Sequence, residues 1–476
     1  MKLSMSMSMS KLRRTDSKVF KILSEGSRKP TAVGLKLTQS VPFYFGYIIV
    51  VIGTLTKAFS APGQTTTLGA LIEYIQADLG MGRSTISVLY TCATLLSSAT
   101  LPMLGWAMDK FGLRVAGLAN ASAMAFACLL FSRVTKEAAS LTIFFYLLRF
   151  LGQGGMQLIG TNLISNWWIR RRGLMQGISG VGLAISMTGL FPIVARMGCE
   201  SIGWRGTFTV IGVVLLVVFV PLCAIFFCET PEMYGLKPDN SSSASDPLES
   251  GKEKVEASLE GKTLGEALRT LDFYAVTGSC LVWALNATGL FFHLTRMIPH
   301  NATAQVYLTS SISSATFTLF VGFLFDKINP KWIIAPALLL QSLSIYLLNI
   351  NMKGLFLTIV AAGIFGASNG CMNNMSGLIH AHLFGRKHLG KISGLAYSCM
   401  VTGSALGPLP LGLIDPDNVR QQTTVTYVLS LLPILFSIFV TFCKMNPLVP
   451  RTDSAGETKE NVEMRHLLAA EDVDNE

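Results

Sequence analysis

Charge is scarce in this 476-residue chain: Asp, Glu, Lys and Arg make up 14% of it, against about 25% in a typical soluble domain. That shortage excludes an ordinary soluble enzyme of this length. The nine cysteines form no Cys-x-x-Cys pair and sit mostly inside apolar runs, so neither a zinc site nor a disulfide framework is expected. No Walker loop, His-Glu-x-x-His string or metal cluster occurs, so the expectation is no enzyme, no cofactor and no metal. The first 42 residues are polar and basic and lack the apolar core of a secretory signal peptide.

What is abundant is apolar residues, 50% of the chain, with a mean hydropathy of +0.49. They form runs long enough to cross a hydrocarbon core of about 30 Å, which takes about 20 helical residues. The runs are continuous rather than alternating, so they read as helices and not as barrel strands. The expected fold is an all-α polytopic membrane protein with twelve transmembrane helices in two pseudo-symmetric six-helix bundles. The spans are placed at Phe43–Tyr74, Thr85–Met108, Val115–Ser132, Leu141–Trp168, Leu174–Met197, Phe208–Phe227, Phe273–His293, Val306–Phe325, Trp332–Leu348, Leu355–Leu383, Ile392–Ile414 and Val425–Phe442. This divides the chain into a basic tail (1–42), an N-terminal bundle (43–228), a central loop (229–269), a C-terminal bundle (270–443) and an acidic tail (444–476).

The net charge of +10 follows the positive-inside rule and calls for no nucleic-acid partner. Tails, central loop and one set of short loops hold 28 Lys and Arg, against eight on the other face. Both termini are therefore expected in the cytosol. The halves also echo each other. Gly105-x-x-x-Asp109-Lys110-x-Gly112-x-Arg114 recurs 217 positions on as Gly322-x-x-x-Asp326-Lys327-x-Asn329-x-Lys331. Ile178-Ser179-Gly180 with Thr188-Gly189 recurs as Ile392-Ser393-Gly394 with Thr402-Gly403, at an offset of 214. Two motifs at nearly one offset point to internal duplication, a construction that puts a substrate site between the halves near the midplane.

The Gly-x-x-x-Asp-Lys-x-Gly-x-Arg string resembles the signature loop of the major facilitator superfamily. The resemblance implies a gating role for Gly105, Asp109, Lys110, Arg114, Gly322, Asp326, Lys327 and Lys331. Chemically, Asp109 and Asp326 can cap helix N-termini and pair with basic neighbours. The segment Glu229-Thr-Pro231-Glu232-Met-Tyr-Gly235-Leu236-Lys-Pro238-Asp239 resembles one found in the monocarboxylate and oxalate/formate branch. Gly403 to Pro408 and Ala61 to Thr65 resemble that branch as well. The chain departs from it in spans 8 and 11, which carry no charge at all.

Apart from Arg196 at the very end of span 5, only Lys57 and Arg149 are basic within the spans, both near mid-span, and every acid falls in a loop, tail or span end. A charge at the bilayer centre costs at least about 2.5–3.5 kcal/mol, so it normally faces a cavity and marks function. Two cations without acids favour an anion. Helical spacing aligns Lys57, Ser60 and Gln64 in span 1, and Arg149, Gln153 and Gln157 in span 4. It also aligns Ser279, Trp283, Asn286 and His293 in span 7, and Asn369, Asn373, Ser376 and His380 in span 10. Family resemblance makes these four spans the cavity lining. The candidate substrate contacts are therefore Lys57, Gln64, Arg149, Gln153, Gln157, Trp283, Asn286, Asn369 and Asn373. The bland alternatives are a hydrogen-bonding hub for Arg149 and polar glue between helices for the rest.

No membrane carboxylate is available as a proton carrier, which leaves His293 and His380, with His382, as the histidine candidates for coupling; deprotonation of Lys57, whose charged form burial disfavours, is an open alternative. Facilitated diffusion or anion exchange stands level with proton symport. The expected partners are a small anionic substrate with a coupling or exchange ion, and the lipid bilayer around a monomer. Two other readings stay open: transport of a neutral or cationic metabolite or drug, and a non-transporting receptor or scaffold. Glu463-Met-Arg-His-Leu467-Leu468 resembles an acidic dileucine signal, so the membrane is the plasma membrane or, alternatively, an endolysosomal or vacuolar one.

Overall fold

The structure is a computed structural model that describes residues 32–184, 186, 190–240, 261–297, 303–350, 354–412 and 419–445. The dileucine string, the Ser-rich stretch of the central loop, Thr188 and Gly189 lie outside the described residues.

Helices make up nearly all of the described chain, as they must where no water can satisfy a free backbone group. Span 1 is α1 (Gly46–Ala58) and α2 (Thr65–Leu79), separated by the 3-10 turn Ala61–Gly63. Span 2 is α3 (Arg83–Phe111) and span 3 is α4 (Leu113–Phe131). Span 4 runs without a break through α5 (Ala138–Leu148), a π-helical stretch Arg149–Met156 and α6 (Gln157–Trp167). Next come α7 (Arg172–Ala184) and α8 (Phe191–Val214). The second half holds α9 (Leu271–Met297), α10 (Thr303–Phe325), α11 (Lys331–Ile350), α12 (Leu355–Phe384), α13 (Leu389–Leu406) and α14 (Val419–Phe442). Among the described residues there is no β-strand, and one isolated bridge joins Gly261 to Gly385.

Nine described helices are long and apolar enough to cross a membrane. The difference from twelve has physical causes. Span 4 carries Arg149, Gln153, Gln157 and Asn162, which lower its hydropathy without shortening it. Span 11 is rich in Gly and Ser for the same effect. Span 5 lies partly outside the described residues, and its end is continuous with span 6 in the run Val194–Phe226. Gly203 marks the turn between them: its φ of 74° is one that a side chain would strain.

Two hydrophobic clusters form. One gathers residues between Tyr44 and Tyr234 and takes in Tyr397; the other gathers residues between Ala267 and Met445. Glycines let helices of the two halves touch along the seam. A Cβ on Gly105 of α3 would collide with the Gly390 carbonyl of α13, and one on Gly322 of α10 would lie 2.6 Å from the Gly173 carbonyl of α7. The two seams thus use equivalent positions of the two signature motifs.

Candidate functional site

The signature loops close one end of the seam. Asp109 Oδ1 accepts from Gly390 N at 2.9 Å and its Oδ2 from Lys391 N at 2.9 Å. Asp326 Oδ1 accepts from Gly173 N at 2.8 Å and its Oδ2 from Leu174 N at 3.0 Å. Each carboxylate therefore caps the first turn of a helix in the other half, where the free amides and the helix dipole favour an anion. Burial pushes the Asp326 carboxyl up to about 6, and its bonds to Gly173 and Leu174 with the Arg172 charge pull the other way. Lys110 and Lys327 of the same loops turn away from this seam and lie exposed. Arg114 donates to the Ala224 carbonyl inside its own half.

Lys57 is buried in the N-terminal half, 5% exposed, and begins about 17 Å into α1 at 1.5 Å per residue. Its Nζ donates to Gln176 Oε1 at 2.6 Å and Ser179 Oγ at 3.1 Å, both on α7. Gln176 Nε2 passes the chain on to the Thr161 carbonyl at 2.8 Å and Ser165 Oγ at 3.2 Å on α6. Gly160 makes room for the lysine stem, since a Cβ there would lie 2.8 Å from Lys57 Cγ. Gln157 Nε2 donates to Ser60 Oγ at 3.0 Å, and Gln64 Nε2 to the same oxygen at 3.0 Å. The predicted stripes of spans 1 and 4 do meet, but Lys57 reaches past them to span 5.

Arg149, 2% exposed, reaches the break in span 1 and ties it down. Its NH1 donates to the Gly63 carbonyl at 3.2 Å and Thr65 Oγ1 at 3.1 Å, and its Nε to Thr94 Oγ1 at 3.2 Å on α3. The guanidinium lies 5.0 Å from the Tyr90 ring centroid, and Tyr90 donates its hydroxyl to Thr65 Oγ1 at 3.0 Å. The 3-10 turn and the π-helical stretch face each other through Gly63 and Gly152, which pack backbone to backbone. Irregular backbone at membrane depth is tolerated where it is buried or lines a cavity. Half-buried Gln153 follows on the π stretch, and its Oε1 has no hydrogen-bond partner among the described residues. Neither Lys57 nor Arg149 pairs with a carboxylate among the described residues.

In the C-terminal half, Trp283 Nε1 donates to Asn369 Oδ1 at 2.8 Å, which joins α9 to α12. Asn373, one turn further along α12, is exposed. Asn286 turns elsewhere: its Nδ2 donates to the Leu429 carbonyl of α14 at 3.3 Å. His380 is 3% exposed, and its Nε2 has no hydrogen-bond partner among the described residues. The His293 side chain lies outside the described residues. The string Gly366-Ala-Ser368-Asn-Gly370 matches the spacing of a hydrolase nucleophile elbow, which needs a strand-to-helix turn. Here it is mid-helix, with Ser368 buried and donating to the Ala337 carbonyl at 2.7 Å. A cavity of about 590 Å³ opens elsewhere, between α11 and α14, lined by Leu339, Tyr346, Tyr427 and Leu431. Exposed apolar side chains, Leu339, Leu343, Tyr346, Val428 and Leu431, make up much of its wall.

Some residues escaped the sequence reading. Arg172 counts as a loop residue by position, yet it is 4% exposed and donates to the Trp168 and Ser165 carbonyls at 2.9 and 3.2 Å. Burial and the neighbouring Arg386 lower its pKa to about 10. Arg386 pairs with Glu232 at 2.6 Å, with side chains only 6% and 9% exposed, and also donates to the Asn166 carbonyl. Asp239, at φ 58°, caps the turn before α7 by accepting from Ile169, Arg170 and Arg171 amides at 2.9, 2.8 and 3.1 Å. Tyr397 of α13 is hydrogen-bonded to the Thr161 side chain across the seam. The only signal for these was the acidic pattern Glu232…Asp239 of the central segment.

A family model described as Major Facilitator Superfamily matches residues 54–408 and 297–470. Monocarboxylate transporter 6 of Mus musculus is 23% identical over 175 residues, 36% of this chain and 36% of that protein. Monocarboxylate transporter 6 of Homo sapiens is 23% identical over 168 residues, 35% of this chain and 33% of that protein. The matched stretch thus spans about a third of the length of these curated relatives.

Proposed function

The chain belongs to the Major Facilitator Superfamily, and on that premise we propose that it carries a small organic anion of the monocarboxylate kind by alternating access. It is a multi-pass membrane transporter of a small solute; the anion is the further step. One observation carries that step: Lys57 and Arg149 are buried on spans 1 and 4, and no carboxylate partners either among the described residues. Uncompensated buried cations are costly, and an anionic substrate entering between the halves offsets that cost. Arg149 reaches the start of α2 through Gly63 and Thr65, and the first amides of α2 are free of intrahelical partners and attract negative charge. Discontinuous helices serve anionic substrates this way in other secondary transporters. The names of the curated relatives point to the same substrate class.

The two bundles, residues 43–228 and 270–443, would then rock about the seam while Asp109 and Asp326 latch one end. We assign that end, with both termini, to the cytosol, and the protein to the plasma membrane as a monomer. Gln64, Gln153, Gln157, Trp283, Asn369 and Asn373 would supply the neutral contacts. Transport of a neutral solute is a second reading, favoured by one fact: Lys57 and Arg149 donate to uncharged groups already in place. Uptake of labelled solutes into proteoliposomes, with competition by anions, amines and sugars, separates the two. Competition by monocarboxylates supports the anion; competition by neutral compounds alone overturns it.

A further inference from the structure

The lipid-facing flanks of the two halves end in the same way. Along α3 the exposed residues Val88, Leu96, Met103 and Trp106 recur on one face, and the stripe finishes on exposed Lys110. Along α10 Leu308, Ile312, Phe320 and Phe323 do likewise, and the stripe finishes on exposed Lys327. Lys110 Nζ lies 4.5 Å from the Trp106 ring centroid and 5.3 Å from that of Phe111. Lys327 Nζ lies 3.8 Å from the Phe323 centroid, and Lys331 Nζ 5.6 Å from that of Trp332 at the start of α11. Trp106, Phe111, Phe323 and Trp332 are 44%, 49%, 50% and 62% exposed. Among the described residues none of the three lysines pairs with a carboxylate.

The aspartates of these loops point into the seam, so the lysine beside each one has a different task. Aromatic rings on a lipid-facing flank settle at headgroup level, and a lysine there extends its ammonium toward the interface. A ring face holds the ammonium without neutralising it. What remains is a positive charge at the depth of lipid phosphates, which attracts anionic headgroups over neutral ones.

We propose that Lys110 with Trp106 and Phe111, and Lys327 and Lys331 with Phe323 and Trp332, form one seat per half for the headgroup of an anionic phospholipid. The proposal does not depend on the transported solute. It is tested on the full-length protein by native mass spectrometry after equilibration with equal amounts of phosphatidylglycerol and phosphatidylcholine. The expected result is several-fold enrichment of phosphatidylglycerol, falling to parity in the Lys110→Gln, Lys327→Gln, Lys331→Gln triple variant and restored by arginine at the three positions. Trp106→Leu with Phe323→Leu keeps the charges and should lower the enrichment in part, a check that survives misfolding of the triple variant. Arg196→Gln, an exposed cation elsewhere on the molecule, should leave it unchanged. Equal retention of the two lipids by the unaltered protein would overturn the proposal. So would undiminished enrichment in the glutamine variant, or an equal fall with Arg196→Gln.

Discussion

Lowering the pH should tighten the latch that Asp326 makes with the first turn of α7. In the closed arrangement burial pushes this carboxyl up to about 6. Once the halves part and water reaches it, the ordinary value of about 3.9 applies. The closed form therefore takes up a proton first. Its relative stability is fully gained below about pH 3.9 and lost as pH rises through about 6, a total of about 3 kcal/mol. Between about pH 7.5 and about pH 5 the closed-to-open ratio should rise about tenfold on this account. Spin labels at Arg171→Cys and Lys387→Cys, exposed sites on either side of the seam, report the separation by pulsed dipolar spectroscopy. The short-distance population should grow on acidification, and Asp326→Asn, which fixes the group in its neutral form, should remove that share of the response. A separation that grows as pH falls, or a response undiminished in Asp326→Asn, refutes the reasoning.

Other substitutions probe the rest of the seam. Glu232→Gln and Arg386→Gln should each destabilise the closed form, and a double-mutant cycle on the label distances should give a coupling of about 1–3 kcal/mol; zero coupling contradicts a working ion pair. Gly105→Val should keep the labels apart at every pH, because its side chain meets the Gly390 carbonyl; a normal closed distance would contradict this packing. Gly160→Val pushes on Gly53 O and the Lys57 stem, and overpacking of this kind costs about 1–3 kcal/mol, readable as a lower melting temperature. Gln176→Leu removes one acceptor from the buried Lys57 ammonium and should destabilise by about 1–3 kcal/mol, whereas Gln176→Leu with Lys57→Met should recover most of the loss.

How far the sequence carried depended on whether a feature is local to one helix. Span positions, the duplicated Gly105/Gly322 motifs and the capping role of Asp109 and Asp326 rest on hydropathy, spacing and simple helix-end chemistry, so they were readable. Helical periodicity put Trp283 and Asn369 on polar stripes, and the hydrogen bond between them is a finding of the structure. Lys57 was found as a buried cation, but its partners Gln176 and Ser179 were not, because they depend on how far span 5 slides past span 1. The bond of Asn286 to Leu429 went unread for the same reason: a stripe gives one face of a helix, and a wide face touches two neighbours. Arg172 hides in a basic run, Arg170 to Arg172, in which only the third side chain turns inward. Likewise no pattern separates Lys110 from Asp109, adjacent residues that face lipid and seam.

The central claim is that buried cations on spans 1 and 4 select an anion, and uptake of labelled monocarboxylates into proteoliposomes tests it most directly. Saturable uptake is predicted in the unaltered protein. In Lys57→Met and Arg149→Met, folded and inserted to the same extent, it should collapse, with Arg149→Lys keeping a part. Unchanged monocarboxylate flux in both methionine variants, or saturable flux of neutral solutes alone, would contradict it.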